Sequence, residues 1–220
     1  MSRPLHVLSS QARVMLLAVT LMMAIGWGMA PLTAQAQAQP ESLVTRAQAY
    51  DAAQRHHLWR IAAWGGLNAV GGLALMVGSQ RSTQPARWGF GLQAGAWGAI
   101  NVGIATVGLI ALDAPPTEQA ALLDAERSLH DILLFNLGLN VAYSGVGAAM
   151  VAASYQGVDN ARTWRGHGSA LILQGIGLFV LDGIAFLAAR TRLADLISMT
   201  GDLSARTTPF GAVLTISIGG

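Results

Sequence analysis

The chain has no cysteine and no lysine, and it is poor in charge of either sign. Without cysteine there can be no disulfides, no thiolate ligands for zinc or iron–sulfur centres and no thiol nucleophile. Without lysine there is neither a Schiff-base amine nor a Walker-type phosphate loop. All 13 basic residues are arginine. Charged residues make up 11% of the 220 positions, whereas soluble domains carry about 25%. The net charge of +2 gives no footprint for nucleic acid. Catalytic patterns are missing too: there is no Gly-x-Ser-x-Gly and no His-x-x-Glu-His, and Ser144 and Ser169 lack a His and carboxylate at a recognisable spacing. An enzyme is not expected.

What fills the chain instead is apolar residues, 53% of the total, gathered in long blocks. Residues 1–38 read as a secretory signal peptide, with an uncleaved signal anchor as the alternative. Arg3, His6 and Arg13 form its basic start, Val14 to Ala24 its apolar stretch, and Ala34-Gln35-Ala36 or Ala36-Gln37-Ala38 its small-x-small junction. Four further segments, about His57–Gly78, Trp88–Leu112, Ser128–Ser154 and His167–Ala189, each reach the roughly 20 residues needed to cross a bilayer core. The fold expected is therefore an all-α membrane protein, a four-transmembrane-helix bundle over residues 57–190.

Charge in the loops sets the expected orientation. Arg81, Arg87, Arg162 and Arg165 lie in the two loops expected inside, while the third loop, Asp113–Arg127, holds four acids and one arginine. The positive-inside rule then places both ends of the mature chain in the periplasm of a bacterium, with the bundle in its inner membrane. Trp59, Trp88 and Trp164 at span ends suit the interfacial belt. Residues 39–56 read as a periplasmic helical extension of span one. Residues 191–220 read as a periplasmic tail, ending in a period-two, strand-like stretch, Ala212–Ile218.

Each span carries an amide beside glycines: Trp64-Gly-Gly-Leu-Asn68, Trp97-Gly-Ala-Ile-Asn101, Gly138-Leu-Asn140 and Gln174-Gly-Ile-Gly177. Asn68, Asn101 and Asn140 fall roughly 16–20 Å into their spans, near the middle of the bilayer. Asn136, Asn140 and Ser144, spaced four apart, form a stripe on span three. An amide facing lipid leaves its polar atoms unpaired, so these side chains are expected to point inward, bonding between helices or lining a polar pocket.

Asp182 is the one acid placed deep in a span, and an intramembrane carboxylate requires a partner. Arg60, forming a buried ion pair, or Asn136 is the expected partner, and a proton-carrying carboxylate is the alternative. His56, His57 and His130 fall at the outer span ends. Of these, His57 and His130 are the candidate ligands for a b-type haem clamped in the bundle, a less favoured reading. His130 is otherwise an imidazole oriented by Asp131, and His167 is expected to stand alone. No metal and no cofactor is otherwise called for.

The stretches Trp64–Asn68, Trp97–Asn101, Leu134–Tyr143 and Gly166–Asp182 resemble an uncharacterised family of four-span bacterial inner-membrane proteins, defined only as a domain of unknown function. The resemblance covers about residues 50–190 and implies the same architecture with a short strand-like tail. At Asn140, where it implies an acid, this chain has an amide. It assigns no activity. Three functional readings follow. The first is a non-enzymatic scaffold or assembly subunit, in which the amides bond helix to helix with no sizeable cavity between them. The second is a small-molecule binder or transporter, with Asn68, Asn101, Asn136, Asn140, Gln174 and Asp182 lining a midplane pocket. The third is the haem protein. The expected partners are the lipid bilayer and either a second copy or another membrane protein.

Overall fold

A computed structural model describes residues 42–203. They form four helices: α1 (Leu43–Val77), α2 (Pro85–Ile110), α3 (Gln119–Ala153) and α4 (Ala161–Leu203). All four are long and apolar enough to cross a membrane. Helix is the form that permits this, because it satisfies every backbone N–H and C=O within the segment. The ends are marked locally. The Ser42 hydroxyl accepts a bond from the Thr45 N–H at 3.2 Å to cap α1, and Pro85 opens α2 where its missing N–H costs nothing. Between α3 and α4 the chain reverses through Gly157 and Asn160, both with positive φ.

The outer surface is coated with apolar side chains, among them Val70, Val77, Val107, Ile110, Phe135 and Leu187. Such a coat suits lipid and would be a large liability in water. Inside, Ile61, Trp64, Ala105, Leu173, Leu178 and Leu181 form the main core.

Close packing comes from glycine. A Cβ on Gly72 would run into the backbone of Gly95, and one on Gly98 into that of Ala69, so α1 and α2 lie backbone against backbone. A Cβ on Gly147 would stand 2.6 Å from the Gly168 carbonyl oxygen, which joins α3 to α4 in the same way. These two hairpins meet chiefly along α2 and α4, where Gly166 faces the backbone of Ala86. No Cα of α2 comes within 8 Å of one in α3. Only side chains span that gap, and the rings of Trp97 and Tyr143 do so at a centroid distance of 4.8 Å.

Three helices run further than the apolar segments suggest. α1 begins at Leu43, within the stretch 39–56 read as a helical extension of span one; α3 begins at Gln119 rather than Ser128, and α4 continues to Leu203 rather than ending near Ala189. Together they build an extension past the end of α2, with its own small core of Ala47, Leu122 and Leu196, flanked by Leu43, Tyr50 and Leu123. Glu126 was expected in an external loop. It is instead a helical residue only 1% exposed, held by Arg192 at 2.5 Å (Nε to Oε1) and 3.1 Å (Nη2 to Oε2). The first 13 positions expected in the C-terminal tail, 191–203, are thus helical. The signal segment 1–38 and the strand-like Ala212–Ile218 lie outside the described residues.

Candidate functional site

Besides the Glu126–Arg192 pair, two polar clusters lie in the interior of the described residues, both anchored on α4. The first centres on Asp182, which is 4% exposed. Its Oδ2 accepts from Asn140 Nδ2 of α3 at 2.6 Å, and its Oδ1 lies 3.2 Å from His57 Nε2 of α1. Each carboxylate oxygen therefore meets a donor from a different helix, which compensates for removing the group from water. The partners anticipated from sequence, Arg60 and Asn136, are replaced here by His57 and Asn140. His57 Nδ1 is buried and without a hydrogen-bond partner.

The second cluster sits two turns along α4, roughly 12 Å away. Gln174, 2% exposed, accepts through Oε1 from Trp64 Nε1 of α1 at 3.0 Å and from Asn101 Nδ2 of α2 at 3.4 Å. Its own Nε2 is buried and unbonded. Three helices thus converge on one side-chain carbonyl. The two clusters together tie α4 to each of the other helices.

The remaining amides do different things. Asn68 is buried, but its Nδ2 donates to the Trp64 carbonyl one turn earlier at 2.8 Å, so it closes on its own helix rather than crossing to another. Asn136 is half-buried and lies on a cavity wall. Ser144 donates to the Asn140 carbonyl at 2.9 Å, which fixes the backbone behind the Asp182 partner.

A cavity of about 380 Å³ extends from the Trp97–Tyr143 ring pair toward the α2–α3 loop. All four helices contribute to it. Asn101, Asn136, Asn140, His57 and Asp182 supply polar groups, while Ile61, Leu133, Leu139 and Leu178 are among its apolar walls. Ile104 and Ile132 line it and are also 60% and 59% exposed, so the cavity reaches the surface of the bundle. A second cavity of about 200 Å³ lies beside it, bounded by α1, α3 and α4; His57, Leu129 and Leu133 belong to both.

The two imidazoles considered for haem are engaged with different carboxylates. His57 meets Asp182, and His130 Nδ1 lies 3.0 Å from Asp131 while its ring packs on Phe186 at 4.8 Å between centroids. His167 is not alone, since its Nδ1 lies 3.0 Å from Gln93 Oε1 across the α2–α4 seam.

Fold and interior together define a four-helix membrane bundle with a polar core and a partly open cavity. The chain belongs to the family of unknown function DUF6992, whose model matches residues 60–183. That stretch holds both amide clusters and Asp182, and starts just after His57. No curated protein and no solved structure matches the chain.

Proposed function

We propose that this protein binds a small amphipathic molecule in the cavity between α2 and α3 and does not transform it. The observation that carries this reading is the 380 Å³ cavity itself, which falls in the range of roughly 300–1,000 Å³ usual for ligand pockets. Its walls are largely apolar with a few convergent polar groups, the composition such pockets share. The bonds around Asp182 and Gln174 position those groups, and the open side at Ile104 and Ile132 gives an apolar ligand a route from the lipid. On the loop arginines, we place the molecule in a bacterial inner membrane with the starts of α1 and α3 on the periplasmic side.

Native mass spectrometry of the full chain drawn from its membrane in mild detergent tests the reading. The Asn136 side chain makes no hydrogen bond to another described residue, so Asn136→Leu alters the cavity without removing a contact that holds the bundle. The expected result is a small-molecule mass on the wild type that Asn136→Leu loses while melting within about 0.5 kcal/mol of it. A bare wild-type chain, or a mass retained equally by both, overturns it.

The second reading is a scaffold, favoured by the bonds from Trp64 and Asn101 to Gln174 and by the glycine seams. It expects a second protein, or a second copy, to copurify in fixed stoichiometry.

A further inference from the structure

We infer that the smaller cavity, around Arg60, is an anion subsite that takes a phosphate group at the membrane surface. Four of its ten lining residues are His56, His57, Arg60 and Arg192, and none is acidic. The acids nearest in the packing are already engaged. Glu126 holds Arg192 through both its oxygens, and Asp182 divides its own between Asn140 and His57. Arg60 has no ion pair or hydrogen bond among the described residues, although it is partly buried. A guanidinium held this way, with imidazoles beside it, is matched best by an oxyanion that accepts several N–H groups at once. His57 Nδ1, buried and unbonded, lies on the same wall and donates to an anion when the ring is an imidazolium, its Nε2–H being taken by Asp182.

Depth favours a phosphate presented by a lipid. The neighbouring Trp59 is strongly exposed, as an aromatic at the headgroup level would be, and Arg60 follows it by one residue. The shared wall at His57, Leu129 and Leu133 places this headgroup beside the larger cavity without requiring that cavity to be filled.

The test uses the full chain in nanodiscs of phosphatidylcholine doped with phosphatidylglycerol, with lipids retained per chain read by native mass spectrometry. Wild type should retain phosphatidylglycerol over phosphatidylcholine. Arg60→Gln should weaken that preference about tenfold, and Arg55→Gln, whose guanidinium pairs with Asp51 outside the cavity, should leave it unchanged. Competition by millimolar inorganic phosphate would support the subsite but assign it to a soluble anion; retention that free phosphate does not disturb assigns it to the lipid. No preference for the anionic lipid, or equal preference in Arg60→Gln, overturns the inference. The Asn136→Leu comparison reads a different cavity, so either proposal can fail alone.

Discussion

Asn140 Nδ2 stands 2.6 Å from Asp182 Oδ2, between helices whose backbones are already drawn together by Gly147 and Gly168. The amide is thus a charge-assisted donor between two buried side chains, where loss of one partner leaves the other stranded.

Asn140→Ala should accordingly destabilise the bundle by about 1–3 kcal/mol, the cost of an unsatisfied buried acceptor. Asp182→Leu strands two buried donors, Asn140 Nδ2 and His57 Nε2, and should cost more than Asn140→Ala. Unfolding of the purified variants in mixed micelles gives both values, and a smaller loss for Asp182→Leu than for Asn140→Ala would contradict a carboxylate held by donors from two helices.

Glu126 and Arg192 offer a parallel case outside the apolar region. Arg192→Met leaves a carboxylate that is 1% exposed with no cation, and about 3–5 kcal/mol should be lost. The damage should be local to the extension. Hydrogen exchange would speed up over the starts of α1 and α3 and the end of α4, while amides around Trp64 and Gln174 stay protected. Uniform loss of protection would contradict the separate core of Ala47, Leu122 and Leu196.

Glycines divide into two sets. Gly72→Ala forces a methyl group into the Gly95 backbone and should separate α1 from α2, seen as loss of folded protein on extraction. Gly66→Ala and Gly71→Ala meet nothing within 4 Å, and should be neutral or stabilise by up to about 1 kcal/mol through helix propensity. Equal damage from Gly66→Ala and Gly72→Ala would refute the seam.

The spans were readable from sequence because length and hydropathy alone decide them, and so was the burial of Asn68, Asn101, Asn140, Gln174 and Asp182, since lipid forbids the alternative. Partner identity was not readable. Asp182 and Asn140 are 42 positions apart, and whether His57 or Arg60 meets that carboxylate depends on how far α1 slides along α4, which is one turn of helix. At the observed register Trp64 packs over Gly177, a contact with no sequence periodicity. The extension was legible at α1, where 39–56 read as helical, but not at α3 and α4. The stretches 119–127 and 191–203 are too polar to register as span, and what holds them is long-range packing, with Leu122 and Leu196 meeting Ala47 in one small core.

The inequality of the helices carries one more implication. α2 has 26 residues and turns back at both ends, whereas α1 and α3 have 35 and α4 has 43. The additional length on three of the four is the polar extension, whose charges hydrocarbon cannot cover cheaply. The shortest member is therefore the gauge: α2 marks the stretch that hydrocarbon can cover on all four helices, and the polar lengths of the other three stand clear of it.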